Sequence, residues 1–377
     1  MKVTSKLGLY VHVPFCSAIC NYCNFNRGLF EESLKTRFVD AVIEDIHRST
    51  DSVSADSIFF GGGTPSLLAP GEIGGIIDAV RSTFDLTRDA EITLEANPET
   101  VDRARLEGFR AAGINRLSYG VQSFRDTELK RLGRLHSARR AEEAVEMARA
   151  AGFDNVSLDL MMWLPGQDVT QWLSSVERAI AVAPEHMSLY ILEVYPHLPL
   201  KQEIDAHGWT QVEDEDTAEM YEAGMGMLDT AGYAQYEISN VAKPRRQSVH
   251  NLKYWTDGEW LGFGPGAHST REGSRWRNVA ATEEYIQRIA SAASVVTERR
   301  TLSADERLGD AVFTGLRLTA GVDLSIVSKR YDVDIWARFG VRLAPFLEAG
   351  LLVKEGDWIR LTRQGMMLAN EVMAVFV

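Results

Sequence analysis

Along the first half of the chain, short apolar and β-branched runs alternate with segments whose apolar residues recur at helical spacing. The strand-like runs are Leu9–Val13, Ser57–Phe60, Glu91–Leu94, Arg116–Val121, Asn155–Leu160 and His186–Leu192, and the clearest helical segments are Leu34–His47, Arg139–Ala151 and Val169–Ala181. About six βα units in succession predict an α/β fold with a parallel sheet, since parallel neighbours must be joined by a crossover. In the barrel form of such folds, chemistry gathers on the loops at the C-terminal strand ends. Cys16, Gly63, Glu95, Gln122 and Asp159 fall at or near the ends of five runs. Five strands would therefore aim polar groups at one mouth.

The pattern changes near Ser303. Helices are expected at Leu308–Thr319, Leu324–Tyr331 and Phe339–Gly350, followed by two short strands around Glu355-Gly356-Asp357 and a last helix. This order suggests a smaller C-terminal helical, winged-helix-like module, with the boundary between the polar stretches Thr297–Arg300 and Ser303–Glu306 dividing the chain into 1–300 and 301–377. Winged modules often bind DNA, but this wing is not basic, so packing or contact with a partner is expected.

Composition narrows the classes. The 377 residues are 45% hydrophobic and 25% charged, ordinary for a globular protein, and the net charge of −13 with basic residues adjacent only in scattered pairs argues against nucleic acid as a partner. No apolar stretch is long enough to cross a membrane, and residues 1–6 lack the apolar core of a signal peptide. No transmembrane segment and a cytoplasmic, reducing location are expected.

All three cysteines fall within eight positions, as Cys16-x3-Cys20-x2-Cys23, directly after the first strand-like run. Three thiolates on one loop suit an iron-sulfur cluster with one iron left open, because a [4Fe-4S] cube normally takes four. A structural zinc site with His12 as fourth ligand, or three buried thiols, are the alternatives. One strand later, Gly61-Gly62-Gly63-Thr64 ends another apolar run. Glycines there allow the backbone to approach a ligand.

Other residues have two readings each. Glu95 either contacts a ligand at the mouth or caps the helix starting near Glu99. Gln122 follows Gly120-Val121 and could equally serve a turn hydrogen bond. Arg134 could clamp a carboxylate with its guanidinium fork or be one more solvated charge. Asp159, embedded in an apolar strand, needs a partner, for which a ribose hydroxyl would serve. Between Tyr233 and Ser269, aromatic and glycine residues suit a flat apolar ligand, and His250 or His268 could offer an axial nitrogen to iron.

Coupled to the glycine run, the cysteine loop resembles the radical S-adenosylmethionine (SAM) superfamily. Tyr10-Val11-His12-Val13-Pro14-Phe15-Cys16, Gly61–Leu68, Glu95-Ala96-Asn97-Pro98, Gly120–Phe124, Leu132–His136 and Leu164–Gln167 resemble, more narrowly, the oxygen-independent coproporphyrinogen dehydrogenase-like (HemN-like) family. His250–Trp255 and Gly264–Ser269 are similar to its heme-chaperone branch. This resemblance covers nearly the whole chain and implies a radical SAM partial (β/α)6 barrel. It also implies that Cys16, Cys20 and Cys23 ligate a [4Fe-4S] cluster, and that Tyr10, Tyr22, Gly62, Gly63, Thr64, Glu95, Gln122, Arg134 and Asp159 bind SAM. Heme is the implied cargo, with His250 as its candidate ligand, and respiratory hemoproteins, including any at a membrane surface, are the implied recipients. The alternative is a catalyst, a coproporphyrinogen dehydrogenase or another radical SAM enzyme acting on a tetrapyrrole. Against that alternative stands Phe25, where those enzymes carry a further cysteine, together with a shorter N-terminal arm. Trp163, in place of the family's usual glycine, and Tyr195-Pro196-His197-Leu198-Pro199 depart from the chaperone pattern. His197 is thereby a third candidate histidine.

Overall fold

A computed structural model describes residues 6–49, 53–210, 212 and 214–377; part of the segment read as lacking a signal peptide, residues 1–5, lies outside them. Six parallel strands form the centre: β1 (Leu7–Val13), β2 (Ser54–Gly62), β3 (Asp85–Ala96), β4 (Arg116–Gln122), β5 (Val156–Met162) and β6 (His186–Ile191). They pair in sequence order. Helices Glu32–His47, Pro70–Thr83, Arg103–Ala112, Ala138–Ala150 and Val169–Ala181 make the crossovers. Because helices cover one face and the other is turned inward, β1 is buried at all but one position, and β5 is buried except at Asp159. The helices bury a single stripe; Val169–Ala181 buries Trp172, Ser175, Val176 and Ala179, with the Trp172 indole N–H donating to Met220 O of the neighbouring helix, and starts where Asp168 caps Gln171 N–H.

Side chains from β2 to β6 and from the loop after β1 line one cavity, so the sheet curls into the expected partial (β/α)6 barrel. Wings extend it to twelve strands, Trp260–Phe263 running parallel to β1 and the remaining wing pairings antiparallel. Beside β1 come Trp260–Phe263, His268–Arg271, Ser274–Asn278 and Val296–Thr301; beyond β6 come Asn240–Ala242 and Ala234–Glu237. The Tyr233–Ser269 stretch, read from sequence as ligand-like, thus supplies strands flanking the parallel sheet and, between them, the helix Val249–Trp255 that carries Tyr254 and Trp255.

At the C-terminus, helices Ala304–Gly315, Leu324–Tyr331 and Ile335–Glu348 accompany a three-stranded antiparallel sheet of Val322–Asp323, Leu352–Glu355 and Trp358–Leu361. The first of these helices starts four residues before the expected Leu308 because Ser303 and Glu306 form a reciprocal capping box. The third starts at Ile335 because Asp334 caps it. The strand Val322–Asp323 was too short to read from pattern.

Candidate functional site

After β1 the chain forms a short parallel pair, Phe15–Cys16 with Gly28–Leu29, which closes the neck of the loop bearing Cys20 and Cys23. Asn21 fastens that loop, donating to Arg131 O at 2.7 Å and to Glu203 Oε2 at 2.8 Å. Tyr22 packs on a small apolar cluster of Leu132, Met161, Leu164, Leu192, Leu200 and Ile204. Opposite the loop, β2 ends in Gly62 at φ 114°, where a Cβ would lie 2.6 Å from the His12 ring; at Gly63 a Cβ would lie 2.6 Å from Phe15 O. Glycine is needed at both, once for its backbone conformation and twice for close approach.

Between loop and strand ends lies a cavity of about 480 Å³. Cys16, Cys20 and Cys23 all face it, with Tyr22, Gly62, Gly63, Thr64, Glu95, Gln122, Arg134 and Asp159. Thr64 Oγ1 lies 3.6 Å from Cys16 Sγ, and Arg134 Nη1 lies 3.4 Å from Cys20 Sγ. Burial, with the neighbouring thiols Cys23 and Cys20 adding to it against the Thr64 hydroxyl, holds the Cys16 thiol above its ordinary range. Coordination to a metal deprotonates such a thiol outright. Among the described residues, no three or more His, Cys, Asp or Glu side chains converge tightly enough for a single ion. The donor set fits a cluster, which spreads its thiolates wider than one ion does. His12 is no fourth ligand to zinc here: Nε2 meets Asn26 O at 2.7 Å and Nδ1 meets Tyr10 OH at 3.0 Å. With Nε2 donating to the carbonyl, Nδ1 accepts from the phenol.

The wall facing the thiols carries two half-buried carboxyls. Glu95 Oε2 accepts from Gly62 N–H at 3.1 Å, and Asp159 Oδ1 accepts from Ser118 Oγ at 3.5 Å. Burial first, then the nearby Asp159 charge, pushes Glu95 up to about 8; burial pushes Asp159 up to about 6. Two such groups titrate as a pair, and a cation placed against them favours the ionised forms. Gln122 adopts φ 68°, and Gly120 leaves room for its amide and for Asn97 and Arg134, since a Cβ there would meet Gln122 Nε2 at 2.9 Å. Arg134 is half-buried and held in place rather than freely solvated: Nη2 donates to Asn97 Oδ1 at 2.6 Å and Gly120 O at 2.7 Å, while Nε has no partner among the described residues.

Two of the residues tied by resemblance to ligands lie elsewhere. Tyr10 is behind the wall, its ring 6.2 Å from that of Phe59. The structure does not bring His250 to the cavity. It lies in the helix Val249–Trp255, 1% exposed, with Nδ1 3.0 Å from Ser57 Oγ and Nε2 2.9 Å from Tyr254 OH, so both ring nitrogens are engaged. His268 lies exposed on a wing strand. Of the three candidate histidines, His197 comes nearest the mouth, 3.3 Å from Asn24, a cavity-lining residue. Trp163 holds φ 63°, which accounts for glycine being usual at that position, and its indole N–H donates to Thr217 O. Sequence reasoning missed the rim: Ile19, Phe25, Tyr190 and Ile191 line the cavity yet are 46%, 68%, 43% and 44% exposed. No periodicity marks apolar residues at a strand end that point to solvent.

The family model described as the Radical SAM superfamily matches residues 10–179, and that described as the HemN C-terminal domain matches residues 302–368. The heme chaperone HemW of Bacillus subtilis (strain 168) is 34% identical over 98% of both chains. The chain belongs to the HemW family of radical SAM proteins. HemW of Mycobacterium tuberculosis (strain ATCC 25618 / H37Rv) is 35% identical over 97% of this chain and 93% of its own, and the mitochondrial radical S-adenosyl methionine domain-containing protein 1 of Bos taurus is 34% identical over 98% and 87%. Among solved structures, the radical SAM enzyme coproporphyrinogen III oxidase (HemN) from Escherichia coli superposes with a TM-score of 0.88 over 99% of this chain and 90% of its own, at 23% identity, which shows the shared fold. Radical SAM family membership implies a [4Fe-4S] cluster and SAM. No helix among the described residues is long and apolar enough to cross a membrane.

Proposed function

We propose that this protein is a heme chaperone that carries a [4Fe-4S] cluster, binds SAM, and passes heme to hemoproteins of respiration, some at a membrane surface, from the cytoplasm. The carrying observation is the near end-to-end similarity to HemW chaperones, of which the chain covers 98% in Bacillus subtilis. In this reading Cys16, Cys20 and Cys23 hold the cluster and leave one iron open toward the glycine strand. SAM, when bound, supplies an amine and a carboxylate to that iron. Gly62 and Gly63 let it approach, Thr64 and Gln122 border it, Glu95 faces its amine, Asp159 its ribose, and Arg134 neutralises charge beside Cys20. Tyr22 stiffens the loop from its apolar seat. Tyr10 acts from behind, through His12. The chain reads as a cluster-bearing domain over 1–300 and a C-terminal module over 301–377.

Heme is the cargo of this reading. To ligate heme, His250 would first have to give up Ser57 and Tyr254; it serves better as a packing residue, and His197 is the competing candidate at the mouth. Phe25 supports carriage over catalysis, because an exposed phenyl ring replaces the extra cysteine of the dehydrogenases. Anaerobically reconstituted protein should bind heme, followed by Soret absorbance, and should leave coproporphyrinogen unchanged. Decarboxylation without heme binding would hand the function to the dehydrogenase reading.

A further inference from the structure

Below the cavity, the barrel interior holds a buried guanidinium that the preceding reading leaves unused. Arg116 opens β4 and is 1% exposed. Register pairs it with Thr93 and pairs Ser118 with Glu95, so Arg116 faces inward one step beneath the Ser118 that bonds Asp159. Among the described residues its one ion pair is Nε to Glu91 Oε2 at 3.9 Å, too long for a hydrogen bond, and Nε has no other partner. Glu91 is itself committed: Oε1 accepts from Ser248 Oγ at 3.4 Å and from His250 N–H at 3.2 Å. A buried cation so loosely paired is costly unless charge elsewhere compensates it. The groups around it are Glu91 and Glu95 on β3, Asp159 on β5, His186 on β6, Tyr236 on the adjoining wing, and His250 on the helix Val249–Trp255, which itself faces Lys253. His186 is held neutral by burial and by Arg116, and its nitrogens meet Ser157 Oγ and Tyr236 OH, each at 2.8 Å. Lys253 is paired with Asp56 at 2.6 Å. The remaining carboxyls facing Arg116 are Glu95, bonded to Gly62 N–H and near Tyr10, Tyr190 and Tyr254, and Asp159, bonded to Ser118 and Ser188 and near Tyr190 and Arg134; neither is closed into an ion pair.

We infer that Arg116 is a positioning residue for the cavity wall: its internal positive charge lets Glu95 and Asp159 meet a bound cation as carboxylates, and so sets the pH range in which that cation is held. The inference rests on the SAM-binding reading above. Removing a neighbouring positive charge raises a carboxyl's pKa, and cation binding requires the ionised form. Losing Arg116 must therefore shift binding to higher pH rather than weaken it evenly.

The test uses full-length protein, reconstituted anaerobically, with iron and sulfide measured and SAM binding followed at equilibrium between about pH 6 and 9. In Arg116→Met the midpoint of the binding profile should rise by about one unit, so that affinity near neutrality falls about tenfold and recovers at high pH. Arg116→Lys should keep the wild-type profile near neutrality. Glu91→Gln, which keeps an acceptor for Ser248 and His250 but frees the guanidinium, should move the midpoint down, and serves even if the methionine variant does not fold. An unmoved midpoint in Arg116→Met or in Glu91→Gln, or an even loss at all pH that lysine does not rescue, would overturn the inference. A wild-type protein that takes up its cluster but binds no SAM would instead overturn the SAM reading.

Discussion

The two ends of this barrel carry signature residues of opposite physical character. At the C-terminal end, three thiols, two carboxyls of raised pKa and left-handed backbone at Gly62 and Gln122 surround open space. At the N-terminal end, the helix Val249–Trp255 is seated on Gly8, where a Cβ would meet Lys253 and His250, and His250 has both ring nitrogens bonded. Unsatisfied groups and backbone strain survive where a ligand will use them; satisfied groups hold the fold. A motif histidine is therefore not evidence of a ligand until its nitrogens are shown to be free.

The difference can be broken most severely at the thiols. Cys20→Ala should lose essentially all of the about four iron and about four sulfide expected per chain, by anaerobic elemental analysis. Stoichiometric zinc without sulfide in the wild type would reverse the assignment.

Next in size are Asp159→Asn and Arg134→Gln. Each should weaken SAM binding by about 2 kcal/mol, about thirtyfold, with iron content retained. Wild-type affinity in both would make them structural residues that merely line the cavity.

A smaller effect follows from protonation. With Glu95 at about 8 in the free protein, a cationic ligand must displace a proton below that pH, so SAM affinity should climb as pH rises from about 6 and level off above about 8, by no more than about tenfold per unit. A profile that is flat, or that falls with pH, would contradict the carboxyl wall.

The smallest effect on the cavity is expected from the opposite end. His250→Ala leaves Ser57 and Tyr254 short of a partner and should cost about 2 kcal/mol in denaturant unfolding, while SAM affinity and cluster content stay within about threefold of wild type. A heme spectrum abolished in His250→Gln with unfolding stability unchanged would make His250 a ligand after all.

Much of the barrel was legible because parallel strands covered on both faces read as largely apolar runs, as Leu9–Val13 did, and the helix Val169–Ala181 was read to its ends. The cavity was legible where chemistry forces unusual residues: cysteines at chelate spacing, glycines at a close approach, a carboxylate inside a strand. Asp159, expected near a strand end, lies in the middle of β5 instead, so the signal that stands is that a carboxylate embedded in an apolar strand needs a partner. Arg116 escaped because a basic residue at the start of a strand is ordinarily solvated, and nothing local tells that this strand start lies inside a barrel. The surroundings of His250 were not legible for the converse reason, since sequence cannot show that Ser57, nearly two hundred residues away, holds its ring.

The central claim is that the thiol loop and the glycine-carboxyl wall form one site. Electron paramagnetic resonance of the dithionite-reduced protein, with and without SAM, tests it most directly. A cluster signal that shifts when SAM is added, in wild type and in His250→Ala alike, is expected. A signal indifferent to SAM, from a protein that binds SAM elsewhere, would contradict it.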